Sequence, residues 1–258
     1  MKVAILYILL ASYLPGQMTG REIMEKVDIH PEPEDMVSTT TMTLIKTVGE
    51  REKRRMREVT RYQKFYPEGE FSSKSLVRFL KPPDVEGTGF LLWEYREPGK
   101  DDDQWLYLPA LKKVKRIVAR QKSESFMGTD FTYEDLARRE IDEDTYELIG
   151  EEVAFDRDCY KVEAIPREKG SNYSKTIVLV SKDQWLVRKV EYYDRKGRLL
   201  KILEIPEIRK DGAYWTTRNL VMENVQKSHR TVLDVSDVTY DSGIDDHFFT
   251  ERFLKRSR

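Results

Sequence analysis

Between residues 90 and 118 three short aromatic and branched runs follow one another: FLLWEY (90–95), QWLYLPAL (104–111) and VKRIV (114–118). Pro82, Pro83, Gly87 and Gly89 precede them, and Pro98, Gly99 and Asp101–Asp103 separate the first two. Runs of this composition bounded by Pro, Gly and Asp predict adjacent antiparallel strands. Further runs stand at 36–48, 71–80, 145–153, 159–166, 173–182, 185–194, 198–208, 213–225 and 230–241. The linker Arg195-Lys196-Gly197 joins two of them and predicts a hairpin. No strand–helix–strand alternation interrupts the series, which excludes a parallel α/β sheet. The expectation is mainly β: one meandering antiparallel sheet of about ten or eleven strands, long enough that it must curl. Such a sheet either closes into a barrel or stays open, with helices over its concave face.

Two segments resist the pattern. In 51–66 Met56, Val59, Tyr62 and Phe65 recur at a helical interval, yet the setting between strand-like runs favours a long, charged strand. In SFMGTDFTYEDL (125–136) Phe126, Met127, Phe131, Tyr133 and Leu136 have no period-2 spacing, which suits an apolar flap. Gly128 is its expected hinge. At the N-terminal side, Ile23, Met24 and Val27 predict a short helix over 21–30, capped by Thr19 with Glu22 three residues later. The closing Phe248, Phe249, Phe253 and Leu254 predict a final turn or short helix.

Lys2 followed by VAILYILLASYL (3–14) and a small-residue exit resembles a secretory signal peptide, with cleavage expected near 16–20. The run is shorter than the roughly 20 residues that a membrane helix needs. The expected product is a soluble periplasmic protein whose residues 21–258 form a single domain. Cys159 is the single cysteine, so no internal disulfide forms, and its place in RDCYKVEAI predicts a small buried hydrophobe.

Charged residues make up 35% of the chain, but 45 Lys and Arg balance 46 Asp and Glu. That balance argues against nucleic acid as a partner. No nucleophile elbow, P-loop, zinc-protease or dinucleotide motif is present. Asp101–Asp103 are consecutive and diverge, so a solvated hairpin tip fits them better than a metal site. Asp245, Asp246 and His247 would be needed for any acid–base chemistry, and a helix cap accounts for the aspartates equally well. Neither enzyme activity, cofactor nor metal is expected. The basic stretch 112–120 reads as a solvated strand face or as a contact for anionic lipid or an acidic partner.

The strands around 90–108 are apolar on both faces, which demands cover on both. The N-terminal helix, residues 123–137 and the C-terminal end are the pieces expected to supply it over one face. Incomplete filling would leave an apolar cavity for a hydrophobic ligand. The residues expected to line it are Phe90, Leu92, Trp105, Tyr107, Phe126, Met127 and Phe131.

RFLKPPDVEGTGFLLWEY, DDDQWLYLPALKKVKRI and SFMGTDFTYEDL, with CYKVEAIP, VEYYDRKGRLLK and FFTERFLKR further on, resemble the LolA-like outer-membrane lipoprotein-sorting proteins. The resemblance implies an open, strongly curved half-barrel with helices plugging the concave side. It also implies a non-catalytic periplasmic carrier of lipoprotein acyl chains or other lipids. The partners it implies are a membrane transporter, to or from which the lipid is handed, or an outer-membrane acceptor. The competing expectation is a cell-envelope docking protein associated with a transporter and holding no lipid.

Overall fold

The computed structural model describes residues 18–97, 99–167 and 170–256. The candidate signal peptide therefore lies almost wholly outside the described residues. Among those residues no helix is long and apolar enough to cross a membrane.

Thirteen antiparallel strands form one sheet. They are β1 (Asp35–Val48), β2 (Arg51–Phe65), β3 (Phe71–Lys81), β4 (Gly89–Tyr95), β5 (Asp103–Leu108), β6 (Lys113–Ile117) and β7 (Asp144–Ala154). β8 (Arg157–Pro166), β9 (Tyr173–Ser181), β10 (Val187–Asp194), β11 (Leu199–Asp211), β12 (Tyr214–Asn224) and β13 (His229–Tyr240) complete it. The count exceeds the expected ten or eleven because every apolar run makes its own strand, 51–66 included. Pro109 cannot donate to a ladder, so β5 stops at Leu108 and a single 3₁₀ turn carries the chain to β6.

The sheet order is β6-β5-β4-β3-β2-β1-β13-β12-β11-β10-β9-β8-β7. Two meanders, β1–β6 and β7–β13, meet where the first strand pairs with the last, in register from Leu44 opposite Thr231. β6 and β7 are therefore the two outer edges, and the sheet stays open. Residues 118–143 have to travel from one edge to the other.

That crossing shows the curvature. Gln104 of β5 donates to the Tyr133 carbonyl at 3.1 Å, while Tyr173 of β9 donates to Asp135 at 2.7 Å. β5 and β9 are nine strand intervals apart, roughly 43 Å in a flat sheet at ~4.8 Å each. Tyr133 and Asp135 are two residues apart and span about 7 Å at most. The sheet must wrap around the crossing segment, which makes that face concave.

Helix α1 (Gly20–Asp28) begins with a capping box: Thr19 accepts from the Glu22 amide and Glu22 accepts from the Thr19 amide. Ile23, fully buried, sits among Val162, Val178, Val180 and Val190. Cross-strand registers place these valines on the same face as Leu44 and Phe90. Gly20 touches the Glu147 backbone of β7, where a Cβ would lie 2.7 Å from a main-chain carbon.

The C-terminal end does not join this plug. Asp245 caps a 3₁₀ turn (Asp246–Phe249), followed by helix α2 (Glu251–Leu254), and the pair covers the convex face. Asp35, at the start of β1, fixes the approach to this segment. Its buried carboxylate accepts from the Ser242, Gly243 and Ile244 amides and from the Ser242 hydroxyl, at 2.7–2.9 Å.

Candidate functional site

Two apolar layers lie on opposite faces of β3–β6. On the concave side Phe79, Phe90, Leu92, Leu106 and Ile117 pack against Phe126 and Tyr133 of the crossing segment. Phe126 meets Phe90 edge-on with ring centroids 5.1 Å apart, and Phe79 at 6.0 Å. Met127 packs at the margin of the same cluster, and Phe131 is buried outside it. Met127 and Gly128 both have positive φ, 52° and 77°, so the expected hinge coincides with a left-handed turn. The glycine takes this conformation without the strain a Cβ brings.

On the convex side Trp105 and Tyr107 pack with Leu76, Leu91, Phe249 and Leu254. Trp93 stacks edge-on against Trp105 at 4.8 Å and donates its indole N–H to the Phe249 carbonyl at 2.9 Å. Five of the seven expected lining residues thus lie on the concave side, and Trp105 and Tyr107 lie beneath the C-terminal segment. Alternation along a strand sends residues 105 and 107 to the face opposite 104 and 106. A single cavity shared by all seven is excluded by this geometry.

What anchors the crossing segment is polar. Asp135 accepts from Tyr173 at 2.7 Å, from the Thr132 amide at 2.6 Å and hydroxyl at 2.8 Å, and from the Lys201 ammonium. The Lys201 and Asp135 side chains are each only 2% exposed. Tyr173 and Tyr192 place their rings 5.0 Å from the Lys201 nitrogen. Burial pulls the Lys201 pKa below its ordinary value against the pull of Asp135, and burial pushes the Tyr173 phenol up. Asp130 accepts from the Thr231 hydroxyl at 2.7 Å and faces His229 Nδ1 at 2.7 Å. Glu134 takes the Ser171 hydroxyl and the Asn172 amide, and Glu94 takes the Arg138 amide at 2.6 Å. Arg57 of β2 donates to the Met127 carbonyl.

None of these anchors was among the expected site residues. Their signal is nevertheless in the sequence: acidic residues at 130, 134 and 135 punctuate an otherwise apolar flap, and Lys201 interrupts RLLKILEI at a core-facing position. Ionic groups fully buried beside apolar ones call for partners.

Two clefts border the segment, and charged and polar residues make up most of the lining of each. One of about 470 Å³ lies where the two sheet edges approach, between Lys100–Asp102 and Gln104 on one side and Pro166, Arg167 and Ser171 on the other. Burial raises Asp102 there to about 7. The second, about 240 Å³, is lined by Arg61, Gln63, Ser73, Glu94 and Arg138. The apolar interior itself is closed by Phe126 and its neighbours.

The remaining candidates resolve simply. Asp101 pairs with Lys122, Asp102 accepts the Tyr95 amide and Asp103 the Tyr95 hydroxyl, so the three carboxylates diverge. Among the described residues no group of three or more His, Cys, Asp and Glu side chains is placed to hold a metal ion. Asp245 spends its carboxylate on the His247 amide and ring, and Asp246 on Lys64 and Tyr66. Cys159 is fully buried, and burial pushes its thiol up, away from reactivity.

Comparison with known proteins places this architecture. A family model described as "Uncharacterized protein" matches residues 72–256. A DUF1329 family protein from Desulfovibrio piger is 34% identical, with a TM-score of 0.85 over 91% of this chain and 97% of its own. A candidate outer membrane lipoprotein-sorting protein domain from Vibrio parahaemolyticus is 36% identical, with a TM-score of 0.84 over 92% and 98%. A LolA superfamily protein from Nitrosomonas europaea shares the fold at 20% identity, with a TM-score of 0.68 over 92% and 100%. No curated protein matches the chain.

Proposed function

Because the chain belongs to the DUF1329 family and has the LolA-like fold, we propose that it is a non-enzymatic periplasmic carrier of lipoprotein acyl chains or other lipids. The observation that carries this reading is the nature of the concave cover. Apart from α1, it is a segment of loops and single 3₁₀ turns held at its margins by ionic and hydrogen-bonded contacts. Its apolar underside, led by Phe126, occupies the volume that an acyl chain would take.

Displacing the segment exchanges the Phe126 and Tyr133 contacts on Phe90 and Leu92 for contacts with cargo. Each buried CH₂ of that cargo contributes about 0.8 kcal/mol, so partial burial of one chain offsets the loss of a few side-chain contacts. Met127 and Gly128 mark the end from which the segment would lift. Phe90, Leu92, Phe126, Met127 and Phe131 are the proposed lipid contacts, in a chain whose residues 21–258 act as one carrier domain. A membrane transporter and an outer-membrane acceptor are the proposed donor and recipient.

Phe131→Asp tests the assignment. The variant is expected to fold with an unchanged far-UV spectrum and to lose lipid retention after gel filtration. A folded variant that retains lipid as the parent does would refute this cavity. The closed interior favours one rival, a docking protein without cargo; it predicts no bound lipid and partner binding weakened by charge reversal at Lys112, Lys113 and Lys115.

A further inference from the structure

The β1–β2 hairpin carries an unbalanced charge that the carrier reading leaves unused. Residues 46–57 hold six cations, Lys46, Arg51, Lys53, Arg54, Arg55 and Arg57, against two carboxylates, in a chain whose net charge is −1. The register sets their orientation: Leu44 faces Arg55, Lys46 faces Lys53 and Val48 faces Arg51. Since Leu44 belongs to the concave cluster, Arg51, Lys53, Arg55 and Arg57 form one row on the concave side, spaced about 6.7 Å apart. The hairpin also projects. β3 pairs with β2 only from Glu58 onward, and Arg51–Met56 are all exposed.

The two faces of the hairpin differ in how their charge is handled. On the convex side Glu52 pairs with both Arg54 and Arg230. On the concave side no carboxylate among the described residues pairs with Lys46, Arg51, Lys53 or Arg55, although Lys46 and Lys53 stand directly opposite each other. Like charges so placed repel across a ladder. A row of this kind is relieved by an external anion. One apolar side chain shares its face in full view of solvent, Val48 at 50% exposure, directly opposite Arg51. Cations with long alkyl stems beside an exposed apolar group suit a bilayer surface, where the charges meet phosphate and the stems and Val48 enter the interface.

We infer that the β1–β2 hairpin docks this protein on membranes containing anionic phospholipid, through Lys46, Arg51, Lys53 and Arg55 with Val48. Arg57, the innermost of the row, donates to the Met127 carbonyl. Docking therefore brings the bilayer to the margin of the crossing segment. The inference stands on the charge and exposure of the hairpin and holds whether or not the interior carries lipid.

The test is co-sedimentation of the purified protein with phosphatidylglycerol-containing vesicles and with pure phosphatidylcholine vesicles. Binding is expected only to the anionic vesicles and is expected to weaken steeply with added salt. Loss of roughly fivefold per cation predicts about a hundredfold weaker binding for the triple variant Arg51→Gln/Lys53→Gln/Arg55→Gln. Lys112→Gln/Lys113→Gln/Arg120→Gln, which removes three cations in and next to β6, is expected to bind as the parent. Equal binding to both vesicle types, no vesicle binding, or a larger loss from the β6 variant would each overturn the inference. Vesicle binding is scored by sedimentation and cargo by mass, so either reading can fail alone. Melting temperatures of both triple variants control for folding.

Discussion

Asp135→Asn leaves the Lys201 ammonium buried without the carboxylate it touches. What remains around it is the Asp130 carbonyl at 3.5 Å, two tyrosine rings and at most the single neutral amide oxygen, shared with the Thr132 donors, so the ammonium has no counter-charge in contact. Removing one partner of a buried pair costs about 3–5 kcal/mol. Lys201→Met is the gentler half of the comparison. Asp135 then keeps Tyr173 and both Thr132 donors, so the loss is about 1–3 kcal/mol. The double variant, with an amide beside a thioether, is expected to recover most of the loss, since neutral replacements of a buried pair are tolerated. Urea unfolding of the four proteins gives the cycle, and hydrogen exchange locates the damage. The Phe126 amide, bonded to the Phe131 carbonyl at 2.8 Å, should exchange faster in Asp135→Asn while the β8 and β9 ladder amides hold. Strictly additive losses, or a Lys201→Met penalty equal to that of Asp135→Asn, would refute the claim that this pair latches the crossing segment.

Three further outcomes follow from single sites. Asp102 has a native pKa near 7, above the ordinary carboxylate value, so the native state binds the extra proton between about pH 4 and 7 and stability falls as pH rises through that window. Asp102→Asn should therefore be more stable than the parent by about 1–2 kcal/mol at pH 8, after allowance for solvent access, and equal to it below pH 4 in thermal melts. Asp35→Ala leaves the Ser242, Gly243 and Ile244 amides without their acceptor; it should cost about 2–4 kcal/mol in urea unfolding and expose Trp105 to fluorescence quenchers. Gly20→Ala forces a Cβ against the β7 backbone and should detach α1, read as proteolysis near residue 29 with the strands intact.

The curved antiparallel sheet was legible because each strand announces itself through turn chemistry and branched or aromatic runs. The Thr19–Glu22 cap was legible for a similar reason: both of its contacts are local. Long-range pairing was not. Nothing in 36–48 or 230–241 says that these strands meet, and this pairing makes 118–143 the bridge between the two edges. Face assignment failed at Trp105 and Tyr107 because β5 is apolar on both sides, so alternation separates its residues without saying which layer is concave. The C-terminal segment was expected over the concave face, and only the Asp35 contacts and the partners of Phe249 and Leu254 place it opposite. The latch was overlooked for another reason. An apolar reading of 126–136 passes over the acidic residues that decide where the segment binds.

Native mass spectrometry of the protein purified without detergent, followed by organic extraction, bears most directly on the carrier account. The account predicts a co-purifying lipid or acylated protein whose retention is lost in Phe131→Asp. An apo mass that stays unchanged after incubation with lipids, in a protein whose crossing segment still opens by hydrogen exchange, would contradict it.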